Sequence, residues 1–271
     1  MVYSNFPKSD IFSERVVMNS NYIPIQNKLE FKKVILSHYK ESEKIFGVEL
    51  YPPDFEDLYS LYLKTRQKKI VAILELGSGW STLALALALE ENRISHSDFV
   101  LSAIRHPNPF ALMTVDVSPE YSSKAISRLS QLNLKIDVIP IVSSAYMSNV
   151  NGQICHLYKN IPPFTADLIY LDGPDCDQVE GNVNGMTVNF GSDNYRYGLP
   201  MSGDLISLEP FFWPGTNLVV DGRGANARFL KNNFLRNWIY EYNKEVDQHH
   251  FLLDEEPFGK ISEMLLNYKI E

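Results

Sequence analysis

At 271 residues, 45% hydrophobic and 21% charged, the chain can bury one sizeable core and is too apolar for general disorder. Its formal net charge of −8 argues against a nucleic-acid partner, because a phosphate backbone is met by clustered Lys and Arg. Two cysteines, Cys155 and Cys176, are too few for a disulfide scaffold or a cysteine-based zinc site. No 18-residue apolar run and no secretory leader is evident, so a cytoplasmic protein without a membrane partner is expected.

In chain order, residues 1–24 show no period and read as an irregular arm. Phe31, Val34, Ile35, Tyr39 and Phe46, then Phe55, Leu58, Tyr59 and Tyr62 after Pro53, recur at helical spacing. Arm and two amphipathic helices together form an expected N-terminal unit over 1–68, ahead of a core over 69–271. From Ile70 the pattern changes to short apolar runs: VAILEL, ALMTVD, KIDVIPIV, DLIYLD and NLVVD. Helical stretches, PEYSSKAISRLSQL (119–132) and ARFLKNNFLRNWIYEY (227–242), lie between or after them. Such alternation predicts a doubly wound, mostly parallel sheet with helices on both faces. Pro140 cannot donate to a ladder, which sends the third strand to an edge. Residues 176–200 read as a long, polar, glycine-rich and aromatic loop insertion.

The stretch ELGSGWST places Gly77 and Gly79 between an apolar strand and a helix starting near Ser81. Glycine lets the chain turn sharply and lets a ligand come close to the backbone, and ligands of open α/β sheets bind at the carboxyl ends of strands. A dinucleotide fingerprint would have glycine where Thr82 stands, which weakens an NAD reading, and Glu75 suits a cationic ligand better than a pyrophosphate.

With Glu75, Gly77, Ser78, Gly79, Trp80 and Ser81 so arranged, the stretch resembles motif I of the class I S-adenosylmethionine-dependent methyltransferases. The resemblance implies a Rossmann-like, seven-stranded fold whose glycine loop wraps the methionine part of the cofactor. It implies that Asp116, ending the second strand, holds the ribose hydroxyls, and that Ser143 and Ser144, after the third, flank the adenine. Glu75 and Asp116 lie 41 positions apart because ENRISHSDFVLSAIRHPNPF is inserted between them. The fourth strand, DLIYLD, ends in Asp172 like the family's motif IV, and HHFLLD with MLLNYKI would supply the closing antiparallel pair. The Asn/Asp-Pro-Pro-aromatic signature of nucleic-acid amino-methylation is missing, which speaks against base methylation; the expected acceptor is a hydroxyl of a small molecule, a sugar or secondary metabolite.

Asp172 and Asp221, at the ends of predicted neighbouring strands, are the expected catalytic pair, orienting or deprotonating that acceptor. Each also precedes a glycine and reads equally as a turn residue. No metal is expected; Mg²⁺ between the two carboxylates is the minority reading. Arg223 is expected to pair with a nearby carboxylate. His249 and His250 point to opposite faces of a strand, so at most one enters the site. Cys176 is expected to be inert, Trp80 packs on the cofactor or covers the turn, and Tyr195 and Tyr197 are offered to the acceptor pocket, which the N-terminal helices also cap. A homo-oligomer is left open. Two other readings stand beside this one: an NAD-dependent Rossmann oxidoreductase, and a non-catalytic, methyltransferase-like binding subunit.

Overall fold

The computed structural model describes residues 24–175, 178–187 and 201–270. The expected arm up to residue 23, Cys176 and the whole of 188–200, with Tyr195 and Tyr197, lie outside the described residues. Among these, no helix is long and apolar enough to cross a membrane.

Helices α1 (Lys28–Phe46) and α2 (Phe55–Gln67) form where the apolar spacing predicts them. Asn27 and Asp54 cap their first turns through side-chain oxygens, satisfying N–H groups that have no partner within the helix. The five predicted strands follow as β1 (Ala72–Leu76), β2 (Ala111–Asp116), β3 (Asp137–Val142), β6 (Leu168–Leu171) and β9 (Asn217–Asp221). Helix α3 (Trp80–Phe99) connects β1 to β2, and α4 (Pro119–Ser130) connects β2 to β3. The inserted segment extends α3 to Phe99 and adds a π-helical turn, Val100–Ile104, which brings the chain back to β2. The wide separation of Glu75 and Asp116 in sequence therefore leaves them on adjacent strands, with Glu75 paired to Thr114.

One sheet of seven strands results, in the order β10 (Trp238–Asn243), β11 (Gln248–Leu253), β9, β6, β1, β2, β3. The strand with Pro140 is at the edge, as its missing N–H requires. Helices α5 (Asp204–Leu208) and α6 (Gly224–Asn233) flank β9 in the chain. Two predictions need correction. The stretch 227–242 is not one helix: α6 ends at Asn233, and β10 (Trp238–Asn243) follows. Half-buried Trp238 and Tyr240 alternate with exposed Ile239 and Glu241, a period of two that suits a strand, and the carboxylate of Glu209 takes the Leu235 and Arg236 N–H groups at the break. The closing antiparallel pair is β10 with β11 (Gln248–Leu253), whereas MLLNYKI lies in helix α7 (Lys260–Ile270). Ser262, Leu265 and Tyr268 are buried at helical spacing, the latter two against the core, so a helix hides what a strand would expose.

A second sheet was not foreseen: β4 (Ala145–Val150), β5 (Gln153–Tyr158), β7 (Val179–Glu180) and β8 (Met201–Ser202), in the order β7, β4, β5, β8. The hairpin β4–β5 turns on Asn151 (φ 52°) and Gly152 (φ 76°), the Asn-Gly dipeptide of a two-residue turn whose twist matches the strands. It covers one face of the main sheet, packing Ala145, Met147 and Cys155 against Met113 and Val115. Helices α2, α3 and α4 cover the other face, where Phe31, Leu58, Leu61 and the Leu/Ala run of α3 share one apolar cluster. Helix α2 thus packs as part of the core.

Candidate functional site

The strand order reverses at the β1/β6 boundary of the sheet, since β2 follows β1 on one side and β6 lies on the other, all three parallel. Open α/β sheets place ligands at the carboxyl end of such a boundary. Here that end carries the loop Gly77–Gly79 and the loop Asp172–Pro174, and the two touch backbone to backbone. Gly173 donates its N–H to the Leu76 carbonyl at 2.7 Å, and Gly77 donates to the Val115 carbonyl at 2.8 Å. Gly77 has φ +102°, and a β-carbon on it would lie 2.6 Å from the Gly173 nitrogen. Gly79 differs: it is extended, and a β-carbon there would meet nothing closer than 3.8 Å. Gly77 is thus glycine for the sake of the neighbouring loop, while the open face of the turn is at Gly79.

Glu75 is fully buried under this loop, its two oxygens accepting the hydroxyls of Ser81 and Thr82 at 2.7 Å each. Thr82 also accepts the Gly79 N–H at 3.0 Å, so carboxylate, hydroxyl and loop form one chain of bonds. Burial pushes the Glu75 carboxyl up to about 7. Asp116, 7% exposed, accepts the Ser78 N–H at 2.6 Å and the Ser118 N–H at 2.7 Å, tying the end of β2 to the glycine loop. Burial raises its pKa, and these backbone donors oppose the rise. Ser143 is buried at the end of β3: it donates its N–H to the Asp116 carbonyl at 2.9 Å, and its hydroxyl accepts the Asn160 N–H at 2.9 Å. Ser144, next to it, is exposed. Trp80 covers the turn, its indole N–H donating to the Tyr51 carbonyl at 3.1 Å.

Past the loop, Asp172 and Asp221 end adjacent parallel strands. Arg223 faces Asp172 (Nε to Oδ1, 3.5 Å) and Asp175 (3.6 Å), and donates to the Pro174 carbonyl at 3.0 Å. Burial and the Asp221 charge push Asp172 up to about 7, although its side chain keeps 47% of its surface open, so solvent moderates that push. Asp221 is bonded by Tyr170, which is buried in β6, and by Asp57 from the first turn of α2. Burial, then the Asp221 charge, pushes Asp57 up to about 8. Gln248, in register with Asp221, donates to Asp57 and accepts from Ser60 at 3.3 Å, which fastens α2 to the sheet at this point.

Sequence reasoning missed Asp57, Tyr170, Gln248 and Gly173. Only Gly173 carried a signal, the Asp-Gly-Pro turn; Asp57 reads in sequence as an ordinary acidic residue in a first helical turn. Arg223 pairs as expected. His249 bonds the Tyr240 hydroxyl at 2.9 Å on one face of β11, and His250 faces α2 beside Lys64 on the other. Among the described residues no group of three or more His, Cys, Asp or Glu is placed to hold a metal ion, and the cation beside Asp172 is Arg223. A cavity of about 650 Å³ lined by Gly215, Asn217, Leu253 and α7 lies at the opposite end of the sheet, away from these carboxylates.

The buried Glu75 gives a testable pH effect. With its folded pKa raised from 4.5 to about 7, it keeps a proton in the fold that the unfolded chain has already lost. Its contribution to stability therefore declines as pH rises from about 4.5 to about 7. Buried His156, held down to about 3, works in the opposite sense over part of this range, so the comparison must be with Glu75→Gln. Between pH 5 and pH 8 the wild type is expected to lose stability relative to that variant by up to roughly 3 kcal/mol, measured by urea unfolding. A constant difference across this range would refute the assignment.

The sequence matches no family model and no curated protein. Among solved structures it is similar to the O-methyltransferase TomG from Streptomyces achromogenes in complex with SAM, at 15% identity over 82% of this chain and 90% of that one, TM-score 0.41. It is similar to an O-methyltransferase from Bacillus cereus in complex with SAH, at 13% identity over 82% and 91%, TM-score 0.45. It is also similar to the SAH-bound methyltransferase PaMTH1 of Podospora anserina, at 11% identity over 87% and 100%, TM-score 0.43. The class is defined by the chain's own topology: a Rossmann-like, doubly wound α/β protein with a glycine loop at the switch point. Its edge position for the third strand and its antiparallel closing pair are those that the class I methyltransferase resemblance implies.

Proposed function

We propose that the protein is a class I S-adenosylmethionine-dependent methyltransferase acting on a hydroxyl of a small molecule, a sugar or secondary metabolite. The observation that carries this reading is the bond from Asp116 to the Ser78 N–H, which sets an acidic strand end against the glycine loop at the switch point. The cofactor, when bound, supplies a methyl group on a positively charged sulfur. The residues suit such a ligand: Gly79 leaves the loop open to close approach, and each Asp116 oxygen retains a lone pair for a ribose hydroxyl. Ser143 and Ser144 stand where the adenine edge would fall. Asp172 and Asp221 then face the acceptor. Asp172, held near Arg223, orients the hydroxyl, and a carboxylate of the pair takes its proton. Buried Tyr170 and Asp57 hold Asp221 in place. We place the cap of the acceptor pocket at α2, through Asp57 and Gln248.

The test uses Gly79→Ala, which the open surroundings allow to fold. Titration calorimetry with S-adenosylhomocysteine should show binding by the wild type and a loss on the order of tenfold in the variant, at unchanged thermal stability. Unchanged affinity in Gly79→Ala, or affinity for NAD with none for S-adenosylhomocysteine, would reject the reading.

A further inference from the structure

Arg128, on α4, is 6% exposed, and among the described residues no carboxylate pairs with it. The other described arginines that are not exposed are all paired: Arg66 with Glu91, Arg93 with Glu90, Arg223 with Asp172 and Arg236 with Glu255. The guanidinium of Arg128 lies 3.8 Å from the Trp80 ring centroid, and Nη1 donates to the Gly79 carbonyl at 3.4 Å. Its Nε is buried without a partner. Stacking on an indole offsets part of the cost of a buried cation but leaves its charge uncompensated. The neighbouring His38 is buried, bonded to Gln131 at 3.2 Å, and burial favours its neutral form, so it supplies no negative charge.

The charge sits at the start of α3, a 20-residue helix whose N-cap is Gly79, with no side chain to cap it. Helix terminus and guanidinium carry the same sign and meet at the one residue of the loop that is open. A buried cation without a counter-charge beside this turn matches an anionic group on a ligand.

We propose that Arg128 anchors the carboxylate of the ligand on the glycine loop; resting on the reading above, this is the α-carboxylate of S-adenosylmethionine. Charge on α4 then selects the intact amino-acid end of the cofactor.

The experiment compares wild type and Arg128→Met by calorimetry with S-adenosylhomocysteine and with its decarboxylated form. The variant should bind S-adenosylhomocysteine on the order of tenfold more weakly, bind the decarboxylated form as the wild type does, and melt no lower than the wild type without ligand, because the uncompensated charge is gone. If Arg128→Met does not fold, Arg128→Lys, which keeps the charge but not the fork, takes its place and should show a smaller loss confined to the carboxylate-bearing ligand. Equal weakening of both ligands, or of neither, overturns the anchor while leaving the cofactor reading intact. A wild type that binds neither ligand overturns the cofactor reading, and the anchor with it.

Discussion

Alanine at Gly77 or at Gly173 is expected to destabilise the protein by about 3–5 kcal/mol, read by urea unfolding. At Gly77 two costs add. The left-handed φ of +102° is one that L side chains rarely adopt, and the new carbon would lie 2.6 Å from the Gly173 nitrogen and 2.8 Å from its Cα. At Gly173 the new carbon would lie 2.5 Å from the Cα of Gly77. Both obstacles are backbone, fixed by the bonds from Gly77 to Val115 and from Gly173 to Leu76, so no rotamer relieves them. Gly79→Ala is the internal control. Equal stability of all three variants would show that the loops after β1 and β6 do not meet as described.

The second large effect is at Asp167, at the start of β6. Its carboxylate accepts the Val71 N–H at 3.0 Å and the Ala72 N–H at 2.6 Å, and pairs with Lys269 of α7 at 2.9 Å, with 2% and 8% of the two side chains exposed. Asp167→Ala removes the acceptor for two buried N–H groups and leaves the ammonium without a counter-charge, an expected loss of about 3–5 kcal/mol. Because the charge left behind dominates that cost, Asp167→Asn combined with Lys269→Met should recover part of it. A double variant no better than Asp167→Ala would contradict this account. This carboxylate at the amino end of the sheet has a structural role, whereas Asp172 closes the same short strand at the carboxyl end, where the acceptor is proposed to bind.

Much of the fold was legible because the signals are local. Apolar runs such as VAILEL and DLIYLD are too short for helices and meet an acid at or near their ends, and Pro140 excludes an interior strand by its chemistry alone. Where local signals were mixed, the reading failed: WIYEY continues a helical pattern from α6, yet its alternation pairs it with β11, and MLLNYKI is apolar enough for either state until Leu265 and Tyr268 find the core. The Asn-Gly dipeptide at 151–152 is a local signal for the β4–β5 hairpin that the sequence expectations did not include.

For the candidate site, the residue types were legible and their partners were not. The amino-acid order alone determined that a glycine turn follows β1, that acids close β2, β6 and β9, and that helices precede the sheet, because each follows from the period and steric limits of a few neighbouring residues. Only the tertiary structure decided that Glu75 faces Ser81 and Thr82, that Gly77 yields to Gly173, that Asp57 reaches Asp221 from 164 positions away, and that Arg128 pairs with no acid among the described residues. Hydrogen bonds and buried charge depend on distances between segments far apart in the chain, and no local pattern encodes those distances.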